Sequence, residues 1–259
     1  LIEEYYRPQT LAEAISLLER TAIETLPLGG GSVIARPVAR PIAVVDLQDL
    51  GLATCLERGN WLDLGATLTL QALLEFPRLP QALRKAIQHE ATRNLRQVAT
   101  IAGTLVAASG RSPFASVLLA LDALLVLQPG DEEVPLSDLY SWREHKLHRR
   151  LINRVTVPLN ASLAYEYVAR TPADLPIVCA AVAQWPSGRT RIVLGGFGKA
   201  PQLALDGPEP GGAEVAARAA YSQAEDEWAT AEYRQEIAAL LVRRCLGQFN
   251  RPDGSRDGS

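Results

Sequence analysis

Two stretches of this chain combine small residues with hydroxyls in a pattern that suits chemistry. The first is Leu28-Gly29-Gly30-Gly31-Ser32-Val33. The second is Leu95–Ser109 (LRQVATIAGTLVAAS), where Thr100 and Thr104 flank Ala102 and Gly103. Residues with little or no side chain let a backbone come close to a partner. Successive N–H groups in such a turn can converge on an anion, with phosphate the natural guest. The same residues also suit a tight or flexible turn, and on local grounds both readings stand. The first turn is not followed by Gly-Lys-Ser/Thr, and its glycines do not follow the GxGxxG spacing, so neither of those nucleotide-binding loops is present. No Ser/His/Asp or Cys/His set stands out as a nucleophile with its base. His145 and His148 are three apart and could share a helix face, but a metal needs more ligands, so a solvated face is expected there.

Composition narrows the classes. A chain of 259 residues buries a sizeable core and is expected to hold two domains. A formal net charge of -3 gives no electrostatic footprint for nucleic acid. The longest apolar run, Val117–Leu127, is interrupted by Asp122 and is too short to span a bilayer. Cys55, Cys179 and Cys245 are scattered and never form a CxxC pair. That argues against a disulfide framework, an iron–sulfur cluster or a zinc ribbon on this chain. A reducing, cytoplasmic protein is expected. Ile2-Glu3-Glu4-Tyr5 has no basic-then-apolar lead, so no secretory signal is expected, and the absence of Met suggests a trimmed start.

Periodicity and punctuation predict the elements that must position these turns. Thr10 with Glu13 reads as a capping box opening a helix over Thr10–Arg20. Strands are expected at Ile42–Leu47 and Trp61–Ala66, and helices at Thr69–Phe76, Leu79–Thr92 and Ser112–Asp122. The last of these has Ser112 as N-cap and Pro113 at N1. Ala123–Leu127 reads as a strand, Val134–Leu139 as an edge strand, and Trp142–Arg150 as a charged surface connection. A second domain is expected to begin with strand-like Arg149–Val157. It continues through apolar segments at Leu163–Val168, Pro176–Gln184 and Thr190–Leu194, then helices at Ala213–Tyr221 and Thr230–Leu246. Phe249–Ser259 is polar and is expected to be disordered.

In order along the chain, these stretches resemble the flavin-binding medium subunit of molybdenum hydroxylases, the carbon monoxide dehydrogenase and xanthine dehydrogenase family. The resemblance is carried by YYRPQTLAEAISLLE, LGGGSVIA, AVVDLQDLGL, LDLGATLTLQALLE, LRQVATIAGTL and LLALDALLVL. It continues through VPLSDLY, VARTPADLPIV, GGFGKAPQLA and AEYRQEIAALLVRRCL. Several positions depart from the family's pattern. Gly31 replaces a side chain, Ala102 a Gly, Thr104 an Asn or Ser, Gln97 an Asn and Tyr167 a Lys, while Arg170 and Asp174 remain. After Ser109, Gly110-Arg111-Ser112-Pro113 lacks the acid often found there. If Ala102 needs a positive φ, its methyl costs about 1 kcal/mol.

The resemblance implies an α+β fold. A two-subdomain FAD-binding domain of the vanillyl-alcohol oxidase (PCMH) type is expected over 1–148, divided near residue 53. A small α+β domain with a three-stranded sheet is expected over 149–248, and a tail over 249–259. The implied cofactor is FAD, its pyrophosphate gripped by both turns. Implied contacts are Leu28, Gly29, Gly30, Gly31, Ser32, Val33, Thr100, Ala102, Gly103, Thr104, Ser109, Arg111 and Asp174, with no catalytic or metal-binding side chain. Arg111 would offer a positive charge near phosphate. The implied role is electron transfer in a hetero-oligomer with a molybdopterin-binding large subunit and a 2Fe–2S small subunit. Two other readings stay open. One is a scaffold member that binds no FAD, motivated by Ala102, Thr104 and the missing acid. The other is a stand-alone FAD oxidoreductase.

Overall fold

The computed structural model describes residues 2–32 and 41–249, except for the side chains of 142–146. Val33, the apolar segment after it and the polar C-terminal tail beyond Phe249 lie outside the described residues. The chain opens with strand β1 (Ile2–Tyr6), helix α1 (Leu11–Leu18), and strands β2 (Glu24–Leu28) and β3 (Ile42–Asp46). They form a three-stranded parallel sheet in the order β1-β3-β2. Every residue of β3 is buried, as expected for the central strand of a parallel sheet covered on its faces. Thr10 caps α1: its Oγ1 accepts from the Glu13 N–H at 3.2 Å. The Glu13 carboxylate reaches back one residue further than a capping box requires, accepting from the Gln9 N–H at 3.1 Å. Ala14 and Leu18 of this helix bury against Val45 and Leu47.

Next come β4 (Cys55–Arg58), β5 (Trp61–Gly65), α2 (Leu70–Leu74), α3 (Gln81–Glu90), α4 (Arg93–Arg96), α5 (Ile101–Ala107) and α6 (Pro113–Ala120). They are followed by β6 (Leu124–Gln128), β7 (Glu132–Pro135), α7 (Leu136–Lys146) and β8 (Leu151–Pro158). A five-stranded antiparallel sheet runs in the order β4-β5-β8-β6-β7. Two expectations are corrected here. Val134–Leu139 is not one strand: β7 stops at Pro135, and α7 begins at once and runs into the segment read as a surface connection as far as Lys146. Leu136 and Leu139 are buried, so the helix is anchored by apolar residues a turn apart. The segment expected to open a second domain becomes β8. It is hydrogen-bonded to β5 on one side and β6 on the other, and so is interior to the sheet.

The chain then forms β9 (Ser162–Val168), β10 (Val178–Gln184), β11 (Thr190–Gly195), β12 (Gln202–Gly207), α8 (Ala213–Ala220) and α9 (Ala231–Phe249). Four strands, not three, make this antiparallel sheet, in the order β12-β11-β10-β9. The added strand is an edge, with Gln202, Leu203 and Asp206 exposed. Val178, Ala180 and Val182 of β10 bury with Ala217 of α8 and Leu241 of α9. The alternate residue Cys179 points the other way, its Sγ 3.8 Å from Ser116 Oγ of α6. Cover on both faces accounts for the unbroken burial of Val178–Ala183. Two compact units result. The first takes the chain up to Leu79, Ala91–Ala107 and Asp122–Leu159. The second takes Pro80–Glu90, Ala108–Leu121 and the chain from Asn160.

Candidate functional site

Within the first unit, the two small-residue turns come together at one wall of a cavity of about 350 Å³. The first turn leaves the end of β2. A Cβ on Gly30 would sit 1.5 Å from the Val98 carbonyl oxygen, and one on Gly29 would sit 2.8 Å from Thr100 Oγ1. Gly31 has φ of 73°, a left-handed backbone that favours glycine. The glycines are therefore needed first for the turns to meet each other. Among the described residues, no hydrogen bond uses the N–H groups of Gly29, Gly30 or Gly31. Gly29, Gly30, Gly31 and Ser32 all line the cavity.

The second stretch is not a loop at its centre but the start of α5. Its first N–H groups are already taken. Ile101 donates to Leu68 O at 2.9 Å and Ala102 to Ala66 O at 3.1 Å. Gly103 donates to Thr100 Oγ1 at 3.2 Å and Thr104 to Thr100 O at 2.8 Å. The expected row of free main-chain donors is thus used to anchor the helix. What remains is the Thr100 hydroxyl proton, since Oγ1 accepts from the Gly103 N–H and the side chain is buried. Ala102 is helical and is not among the positive-φ residues, so its methyl carries no backbone strain. Thr100, Ala102 and Gly103 line the cavity, whereas Leu28 and Thr104 do not.

The remaining walls are largely apolar, formed by Leu26, Leu47, Val106, Ala107, Leu151 and Ile152. Arg150 adds a charge at the margin and pairs with Glu132 at 2.6 Å. Thr67, to which the sequence gave no role, also lines the cavity, and its buried hydroxyl has no hydrogen-bond partner among the described residues. Unclaimed backbone donors, a buried hydroxyl in want of a partner and apolar walls fit a ligand with an anionic group and a large apolar body. An FAD molecule has that chemistry.

Ser109, Arg111 and Asp174 belong to the second unit. There Arg111 Nε donates to Pro176 O at 3.0 Å, and Nη2 donates to Leu175 O at 2.8 Å. Its guanidinium also stacks on Trp228, 4.5 Å from the ring centroid. The expected free charge is therefore committed to main-chain carbonyls and an aromatic face. The Asp174 carboxylate accepts from the Thr171 N–H at 3.1 Å. Tyr167, which stands in place of a lysine, lies with its ring centroid 3.9 Å from that of His89. Among the described residues no group of three His, Cys, Asp or Glu side chains could hold a metal, and no helix is long and apolar enough to cross a membrane.

Comparison with known proteins gives a concordant result. The model of the FAD binding domain in molybdopterin dehydrogenase matches residues 2–160. The uncharacterized protein YgfM of Escherichia coli (strain K12) is 31% identical over 248 residues, covering 93% of this chain and 94% of the relative. The carbon monoxide dehydrogenase medium chain of Afipia carboxidovorans is 26% identical over 273 residues, covering 94% of this chain and 95% of that one. Among solved structures, reconstituted CO dehydrogenase from Oligotropha carboxidovorans superposes with a TM-score of 0.81 at 26% identity, covering 94% of this chain and 96% of that one.

Proposed function

This chain belongs to the family of FAD-binding domains of molybdopterin dehydrogenases, and on that premise we propose that it is the FAD-carrying electron-transfer subunit of a molybdenum-dependent oxidoreductase. The observation that carries the proposal is the cavity lined by Gly29–Ser32 together with Thr100, Ala102 and Gly103. When bound, FAD takes up electrons and passes them to an external acceptor. The chain's own part is to bind and orient it. The N–H groups of Gly29, Gly30 and Gly31 supply donors for the pyrophosphate, and the Thr100 hydroxyl supplies another. Ala102 and Gly103 close the wall without bulk, and the apolar residues keep water from the ring system. The partners this role implies are a 2Fe–2S small subunit and a molybdopterin-binding large subunit, which would supply the electrons. Supporting this assembly is the correspondence over nearly the full length of the carbon monoxide dehydrogenase medium chain. The free cysteines Cys55, Cys179 and Cys245 suit the reducing cytoplasm.

The test is a flavin absorption spectrum of the purified chain before and after adding FAD, with Gly30→Ala in parallel. Wild type is expected to give the yellow spectrum of a bound flavin. In Gly30→Ala the added Cβ would meet a backbone oxygen 1.5 Å away, so the turns must part and flavin retention is expected to be lost. A colourless wild-type protein that takes up no FAD would sink the proposal and favour a scaffold role.

A further inference from the structure

We infer that the Thr67 hydroxyl is a direct contact to the bound FAD, a contact assigned by neither the sequence pattern nor the family resemblance. The inference rests on the proposed cofactor reading. Thr67 retains 8% of its exposure, its Oγ1 has no hydrogen-bond partner among the described residues, and the residue lines the cavity. A buried hydroxyl left unpaired is costly, and a protein holds one when something outside the chain completes it.

The neighbouring threonines sharpen the contrast. Thr69 Oγ1 accepts from the Ala72 N–H at 3.1 Å and caps α2. Thr100 Oγ1 accepts from the Gly103 N–H at 3.2 Å. Of these three, Thr67 alone has no hydrogen-bond partner among the described residues. It cannot easily move to find one, because the backbone around it is pinned. The Ala66 N–H donates to Asn153 O at 3.0 Å and the Thr67 N–H to Leu52 O at 3.2 Å. Ala66 O and Leu68 O receive the Ala102 and Ile101 N–H groups at 3.1 and 2.9 Å. A β-branched side chain is also stiff about χ1. The same backbone bonds that start α5 at the second turn therefore hold the Thr67 side chain at the cavity wall. A hydroxyl can donate or accept, so it suits a polar atom of the dinucleotide in either sense.

The experiment compares wild type, Thr67→Val and Thr67→Ser as full chains stripped of flavin. FAD is titrated by difference absorption, and the flavin-free proteins are melted. Valine keeps the shape and removes only the hydroxyl. The expected result is an FAD Kd about tenfold weaker for Thr67→Val and little changed for Thr67→Ser. Flavin-free Thr67→Val is expected to melt at or above the wild-type temperature, because no internal bond is lost. Equal FAD affinity of wild type and Thr67→Val would overturn the inference while leaving the cofactor reading intact. Flavin-free Thr67→Val melting well below wild type would also overturn it, by showing that the hydroxyl is satisfied without FAD. Failure of all three proteins to take up FAD would instead overturn the cofactor reading, and the inference with it.

Discussion

The Asp174 carbonyl can only accept, so His89 donates to it from Nε2 across 2.6 Å, and Nδ1 is left to accept from the Tyr165 hydroxyl at 3.1 Å. That network holds one neutral tautomer. Burial is the largest influence on His89 and holds its pKa below the ordinary 6.5. The bond to Asp174 opposes this, and the Lys85 charge reinforces it. The unfolded chain therefore takes up this proton at higher pH than the folded one, and stability falls as pH drops from about 6.5 through the folded pKa. Wild type is expected to lose melting temperature between pH 7 and pH 5, and His89→Gln is expected to show a flatter profile over that range. Identical slopes would remove His89 as the source. The lowered carboxylates of Glu4, Asp49 and Asp206 act in the same direction, but only below their ordinary values of 4.5, 3.8 and 3.8, so the windows separate. At this scale the sequence was informative where chemistry is local. The glycines of the first turn announced a close backbone approach. It did not reveal that the approach at Gly30 is to Val98 rather than to a ligand, nor that the Thr67 hydroxyl has no partner among the described residues. Both depend on residues distant along the chain.

The best-read element is α6. Ser112 accepts at Oγ from the Ala115 N–H at 3.1 Å, and Pro113 fills the first turn. These are signals that neighbouring residues write themselves. Ser112 also does what its neighbours could not foretell. Its hydroxyl donates to Glu90 Oε2 at 2.7 Å, and the same carboxylate oxygen accepts from the Phe114 N–H at 2.9 Å. Ser112→Ala therefore removes a cap and a donor to a carboxylate at once. The expected cost is about 1–3 kcal/mol, read as a lower midpoint in urea unfolding. A midpoint equal to wild type would show that neither bond contributes. The second turn was harder to read, because Ala, Gly and Thr suit a turn and a short helix alike. Its helix begins where Leu68 O and Ala66 O accept its N–H groups, and those carbonyls belong to a segment some thirty residues earlier. Ile2–Tyr6, Cys55–Arg58 and Gln202–Gly207, strands not expected from the sequence, are edges with several exposed residues each.

At the scale of the whole molecule, the chain changes unit at residues 79/80, 90/91, 107/108, 121/122 and 159/160. The apparent boundary at residue 148 came from a real change in composition, but a charged segment does not have to be a linker. Here it leads into β8, the strand between β5 and β6. A cut at 148 would leave Leu62–Gly65 and Leu124–Gln128 each with one edge unpaired in the N-terminal piece, with the buried Leu62, Leu64, Leu125 and Leu127 losing their cross-strand neighbours in β8. It would also take from the C-terminal piece α6, whose eight residues are all buried and whose Ser116 meets Cys179 of β10. Unpaired strand edges and uncovered sheet faces favour association over folding. Residues 1–148 and 149–259, produced separately, are therefore expected to aggregate or to give poorly dispersed amide spectra. The intact chain is expected to give a dispersed one. A soluble 1–148 fragment with a dispersed spectrum and a cooperative melt would show that β8 is dispensable to the sheet, and would restore a boundary at the charged segment.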